Sequence, residues 1–456
     1  MKKGFIFLAI TTLLGCIYCC MDGTPSATVE KNAQIADIIE SGGCLECHTA
    51  DPKLPFYAEF PIAGDMVKED VEKGYRSFDI QPMYDAVKSG KKVSEVDLAK
   101  VEKVFADGTM PPAKYYMVHW GAYTSSKEVE AVKEWAKETR AKYYPNKLAA
   151  AEFANETVRP VEASVEVDPL KAALGEMLYN DTRLSVDNTV SCASCHGLNT
   201  GGVDNKQYSE GVNGLKGGVN APTVFNAHYN FVQFWDGRAE TLAAQAAGPP
   251  LNPVEMASTS FDEICAKLKA DAAFDKAFTA VYPEGITEQT ITNAIQEFER
   301  TLLTPDSPFD LYLKGDKSAM SSEAIEGYEL FKQLGCATCH VGENLGGQSY
   351  ELMGLFGNYF EDRGTELTTE DNGRNKETKL DRDIHRFKVP GLRNIALTAP
   401  YFHDGTQATL EDAVKAMAKY ETDDLLDDAQ VAQVVAFLNS LTGKYKGVTL
   451  TNDNLK

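Results

Sequence analysis

Apolar residues recur at three- and four-residue spacing through much of the chain. The run 125–144, "SSKEVEAVKEWAKETRAKYY", is one case. "EAIEGYELFKQL" (323–334), "LEDAVKAMAKY" (410–420) and "AQVVAFLNSL" (432–441) are others. This period fits amphipathic helices, and alternating strand-like runs are sparse. The pattern predicts a mainly α chain. The first residues differ. "MKKGFIFLAITTLLGC" sets two lysines before an apolar run that is too short to span a membrane. It reads as an export signal, and no later segment reaches membrane length.

The punctuation between helical runs suggests five segments. Residues 1–24 form a signal or lipoprotein segment. Residues 25–145 form an N-terminal unit, and 146–166 a linker. Residues 167–302 and 303–456 form two further units. The last two share a weak repeat. Gly175-Glu-Met-Leu178-Tyr179 precedes a cysteine motif in one, and Gly327-Tyr-Glu-Leu330-Phe331 in the other. Gly201-Gly202 and Gly346-Gly347 follow at similar distances.

Composition narrows the partners. Of 456 residues, 43% are apolar and 25% charged, which allows ordinary globular cores. The 45 basic and 67 acidic residues leave a net charge of −22, which argues against nucleic acid and anionic membrane surfaces. Leu13-Leu14-Gly15-Cys16 resembles a bacterial lipobox. That implies a lipidated Cys16 and a location on the periplasmic side of a membrane.

The ten cysteines carry most of the chemistry. Three lie in the signal region, and six form three Cys-x-x-Cys-His motifs: Cys44, Cys47, His48; Cys192, Cys195, His196; Cys336, Cys339, His340. Cys265 remains, flanked by Ile264 and Leu268 at helical spacing, and reads as a small buried apolar residue. The motif is the attachment signature of c-type haem. Its cysteines form thioethers to the two vinyl groups, and its histidine takes one side of the iron. A zinc site would need four ligands, usually from two paired Cys-x-x-Cys units. Three copies in an exported chain predict three covalent haem c groups. Iron held on both sides moves electrons, and iron with an open side binds a small molecule.

Several longer stretches carry a resemblance. They include "LGEMLYNDTRLS", "SCASCHGLNTGG", "NAPTVFNAHYNFVQFWDGRAETLAAQAAGPPLNPVEM", "FERTLLTPDSPFD", "GCATCH" and "FKVPGLRNIALTAPYFHDG". On these, residues 167–445 resemble the bacterial di-haem cytochrome c peroxidase family, which includes MauG-like enzymes. The N-terminal unit, with "CLECHT" and "MPPAKYYMVHW", is similar to a haem-binding module fused to three-haem, quinol peroxidase-type members. The implied fold is two class I cytochrome c-like haem domains plus an N-terminal helical c-type haem domain.

The resemblance implies roles residue by residue. His196 is the proximal ligand of a peroxidatic haem. Glu255 is the acid–base on its distal side, and Gln245 lines that pocket. Trp235 lies between two haems as an electron relay. His340 and Met417 ligate a high-potential haem. Asn220, Thr398 and Pro400 surround a bridging calcium, the last two through backbone carbonyls. The implied substrate is H2O2. The implied donor is quinol, a small c-type cytochrome or a cupredoxin. Relatives often form homodimers.

Taken alone, Glu255 would read as a surface glutamate and Met417 as a core residue. The resemblance reverses both readings, and the chemistry agrees with it. A carboxylate beside open iron can move a proton between peroxide oxygens. A thioether ligand raises the iron's potential. MauG-type enzymes carry tyrosine at the position of Met417, so methionine favours peroxide reduction over protein oxidation. Two alternatives stay open: a MauG-like oxidase, and a non-catalytic electron-transfer cytochrome. For the first motif, Met110 is the expected second ligand, with Met117 and His119 as alternatives.

One departure stands out. Many relatives place a histidine in the loop after the middle motif, capping the peroxidatic iron. Here the loop is "YSEGVNGLKGGVNAP", and that position falls on Val212, beside Asn213. No histidine lies between His196 and His228. The expectation is a middle iron with an open or water-bound side even when fully oxidised.

Overall fold

The computed structural model of the chain describes residues 30–116, 119 and 122–452. Cys16 and Met117 lie outside these. Helix accounts for 49% of the chain, and the described strands are only two or three residues long, so the fold is mainly α. No helix among the described residues is long and apolar enough to cross a membrane. The chain divides into two compact units, Met1–Pro145 and Asn146–Lys456.

The first unit is built from helices α1 (Lys31–Ser41), α2 (Ala63–Ser77), α3 (Gln81–Lys88), α4 (Glu95–Asp107) and α5 (Ser126–Tyr143). Ser94 starts α4 by accepting from the Asp97 N–H. Ser125 and Glu128 close a reciprocal cap on α5. Such caps satisfy otherwise orphaned N–H groups and contribute about 1 kcal/mol each. The amphipathic faces meet in a core of Ile35, Ile39, Met83, Leu98, Val132 and Trp135.

The second unit holds two clusters that mirror the sequence repeat. In one, α6 (Pro169–Tyr179) packs on α7 (Glu288–Glu299). In the other, α8 (Ser322–Gln333) packs on α10 (Asp428–Asn439), which also meets α9 (Leu410–Met417). The repeat is physical at atomic level. A Cβ on Gly175 would lie 1.9 Å from the Ala294 carbonyl oxygen and 2.7 Å from Phe298 Cβ. A Cβ on Gly327 would lie 1.9 Å from the Gln433 carbonyl oxygen and 3.1 Å from Phe437 Cβ. Four residues on, Tyr179 packs on Phe298 and Phe331 on Phe437, both at 5.2 Å between ring centroids. Each helix pair crosses where a missing side chain lets two backbones touch, and an aromatic pair one turn later locks the crossing.

Residues 146–166 are bound into this unit. Phe153 packs on Tyr312 with ring centroids 4.8 Å apart, Val158 bridges to Gly342, and Arg159 pairs with Glu343 at 2.8 Å. Cys265 lies buried in the α6–α7 core. Two antiparallel ladders complete the unit. β1 (Tyr350–Leu352) pairs with β2 (Arg386–Lys388), and β3 (Lys444–Tyr445) with β4 (Val448–Thr449).

Candidate haem and peroxide site

The three cysteine motifs fold alike. In each, the histidine N–H donates to the first cysteine's carbonyl at 3.0 Å, forming a single turn. Ser191 and Ser194 cap that turn in the middle motif. None of the six cysteines is tied up in a disulfide among the described residues. The first cysteine of each motif is desolvated, its sulfur surrounded by protein.

The histidines are prepared to ligate. His48 Nδ1 bonds the Phe78 carbonyl at 3.0 Å, and His340 Nδ1 bonds the Leu345 carbonyl at 2.8 Å. These bonds place the ring proton on Nδ1, leaving Nε2 for iron. Burial lowers both rings, which keeps them neutral. His196 is also lowered by burial. Its Nδ1 has no partner at hydrogen-bonding geometry, although the backbone at Gly202 and Pro222 faces the ring. The Tyr179 hydroxyl fixes the motif from behind by donating to the His196 carbonyl. This donor set fits covalent haem.

Glu255 comes to the middle motif. Its neighbour Met256 is buried in the α6–α7 core, against which Cys192 also packs. Burial raises the Glu255 carboxyl above its ordinary range, against the opposing pull of Arg238 and of Asn252. Asn252 donates from its amide to Glu255 Oε1 at 2.6 Å and accepts from the Val254 N–H. The same short turn therefore fixes both the backbone and the carboxylate. Asn252 was readable locally, three residues before Glu255, but sequence reasoning did not single it out. Gln245 is half-buried on the short helix Leu242–Ala246.

Val212 is 1% exposed and belongs to the α6–α7 core. Its N–H donates to the Glu255 carbonyl at 2.8 Å. The loop in which many relatives place a histidine is thus fastened here to the backbone of the glutamate.

Trp235 donates from Nε1 to the Asn220 carbonyl at 2.9 Å. It meets His403 and Phe387 edge-on, with ring centroids 6.3 and 6.5 Å away. Asn220 donates its backbone N–H to the His403 carbonyl at 2.7 Å and its amide to the Lys206 carbonyl at 2.9 Å. Those bonds use its nitrogens and spare its side-chain oxygen, the atom type a hard cation takes. Thr398 is buried, and Pro400 follows a cis peptide bond.

A buried cluster beside Trp235 was not anticipated. His403 Nε2 lies 2.8 Å from Asp371 Oδ1, and Arg363 bridges Asp371 (2.9 Å) and Asp404 (2.7 Å). Asp371, His403 and Asp404 are close enough to hold a metal ion. The guanidinium between the two carboxylates already neutralises them, so the cluster reads as a rigid wall for Trp235.

Met417 is half-buried at the end of α9, where the helix widens into a π-helical stretch, Ala418–Thr422. Such widened turns are rare and concentrate at functional sites. In the N-terminal unit Met110 is 41% exposed. His119 Nε2 is bonded to the Tyr57 hydroxyl at 2.7 Å, its ring stacks on Tyr115, and Tyr115 donates to Glu46. Phe56 packs edge-on against Tyr57 of this cluster and is 78% exposed, and Ile62, just before α2, is 77% exposed.

The helical modules and their Cys-x-x-Cys-His turns define a multihaem c-type cytochrome with a buried carboxyl, Glu255, in its middle module. Comparison with known proteins gives the family. Three family models match, described as haem-binding domain (residues 21–138), di-haem cytochrome c peroxidase (169–318) and cytochrome c (324–442). The chain is 47% identical over 420 residues to a cytochrome c peroxidase of Escherichia coli, covering 92% of this chain and 90% of that protein. It is 46% identical to the cytochrome c551 peroxidase of Nitrosomonas europaea, covering 64% and 85%. A solved MauG-like protein associated with microbial copper homeostasis superposes with a TM-score of 0.55 at 29% identity, covering 61% and 91%. The chain belongs to the cytochrome c peroxidase family, and it is an oxidoreductase carrying haem c.

Proposed function

We propose that this chain is an exported, lipid-tethered peroxidase with three haem c groups, reducing H2O2 to two waters with electrons from quinol. The observation that carries the reading is Glu255, held by Asn252 and bonded through its backbone to Val212, in the module whose core Cys192 packs against. Haem bound at the motifs supplies iron that exchanges electrons and, at the middle motif, an open side for peroxide.

The protein's own part is proton movement and positioning. Glu255, as carboxylate, takes the proton from one peroxide oxygen and returns it to the other as the O–O bond breaks. Two further protons and two electrons complete two waters. Asn252 holds Glu255 Oε1, and Gln245 lines the pocket. Trp235, held by Asn220 and walled by His403 and Phe387, is the conduit from the third motif to the middle one. Asn220, Thr398 and Pro400 would hold calcium, and Met417 and Met110 would join His340 and His48 in holding haem at the third and first motifs.

Exposed Phe56 and Ile62 in the N-terminal unit support an apolar donor. A small cytochrome is the second reading, supported by the acidic surface, which would attract a basic partner. Steady-state H2O2 reduction with quinol and with reduced cytochrome c, side by side, tests the proposal. No turnover with either donor would leave an electron carrier.

The Val212–Glu255 bond supports a middle site ready when fully oxidised. EPR of the oxidised protein is expected to show a high-spin signal, and first turnover is expected without a lag. Three low-spin haems would refute this.

A further inference from the structure

We propose that Lys388 is the counter-cation of a haem propionate, on the haem carried by Cys336, Cys339 and His340. The inference rests on haem attachment at that motif.

Lys388 ends β2 and is 5% exposed. Two positions earlier, on the same face of the strand, Arg386 is also buried, but it has an anion. It lies 3.6 Å from Asp383 and donates to the Tyr350 carbonyl at 3.2 Å. No acidic side chain among the described residues offsets Lys388, and burial alone drives its amine down to about 8. A buried cation without a partner is one of the costlier features a fold can carry, and folds that keep one supply an anion.

The strand's neighbours say where that anion sits. The Lys388 N–H donates to the Trp235 carbonyl at 2.8 Å, and Lys388 faces Tyr350 across the ladder. The adjoining Val389 exchanges backbone bonds with Gly347 and Ser349. That segment directly follows the third motif, whose His340 bonds the carbonyl of Leu345. Lys388 is thus fastened to the loop that leaves His340. Haem brings two carboxylates into such a site, and a buried ammonium matches one of them. A fixed positive charge there disfavours the extra positive charge of ferric iron. Lys388 is therefore a positioning residue that holds the third haem at higher potential, as an electron donor to the middle site needs.

The test is a spectroscopically resolved redox titration of the full holoprotein. Lys388→Met is compared with Lys388→Arg, and the third haem is identified by its response to Met417→His. Haem content is counted per chain. Lys388→Met is expected to move the third haem to more negative potential and leave the other two unchanged. Lys388→Arg should keep the wild-type value. If Lys388→Met does not load haem, Lys388→Gln is read the same way. An unchanged potential at full haem content, or a shift confined to the middle haem, overturns the proposal. A wild-type chain lacking haem at Cys336 and Cys339 would defeat the attachment reading instead, and the haem count shows that separately.

Discussion

The indole N–H of Trp235 is hydrogen-bonded to the backbone carbonyl of Asn220 at 2.9 Å, and Asn220 is itself anchored to His403. The proposed calcium ligand and the proposed electron conduit are therefore one mechanical unit. Removing calcium with a chelator should slow electron arrival at the middle haem at unchanged haem content. Stopped-flow reduction, with calcium added back as the control, reads this out. Trp235→Phe should slow the same phase without any calcium response.

Glu255 should govern the acid side of the activity profile. In its proposed role it works as a carboxylate, and burial raises its pKa, so kcat/KM should fall as pH drops through a point above the ordinary carboxylate range. Glu255→Gln should cost about 100- to 10,000-fold in kcat/KM for H2O2 with haem content intact. Arg238 lowers the Glu255 pKa, so Arg238→Ala should move the acid limb upward. A limb that stays put would remove Arg238 from the site's electrostatics.

Glu299 is 5% exposed, and its Oε2 has no hydrogen-bond partner. Burial pushes it up from 4.5 to about 8. The folded chain thus binds a proton there that the unfolded chain releases above about 4.5. Stability from this group is full below pH 4.5 and falls as pH rises towards 8. At pH 7 the loss is about 3 kcal/mol. Glu299→Gln should raise Tm near neutral pH and flatten its dependence between pH 5 and 8, measured by circular dichroism on holoprotein.

Gly175→Ala and Gly327→Ala should each force a helix crossing apart, since the new methyl carbon would meet a carbonyl oxygen at 1.9 Å. Each should destabilise by about 3 kcal/mol or more. The effects should fall on different modules. Gly175→Ala should disturb the spectrum of the middle haem, and Gly327→Ala that of the third.

Much of the chemistry was legible because it is contiguous. A Cys-x-x-Cys-His turn needs five neighbouring residues, and the Gly-to-aromatic spacing in Gly175–Tyr179 and Gly327–Phe331 lies within one helical turn. Asn252 was as close to Glu255 but carried no meaning until the carboxylate was placed. Other features depend on distant segments meeting. Asp371 is 32 residues from His403, and Arg363 reaches Asp404 over 41. Lys388 is buried with no acidic partner among the described residues, and no local pattern encodes that. Val212 was legible only as a missing histidine. Its burial and its bond to Glu255 came from the fold.

The bond from Val212 to Glu255 also limits how this chain can be controlled. A loop tied to the peptide of Glu255 cannot lift from the middle site without carrying the carboxylate with it. Opening and disabling would be the same motion, so a gate here would be self-defeating. Throttling belongs instead in the supply of reducing equivalents, and flux through the chain should follow the state of its donor pool.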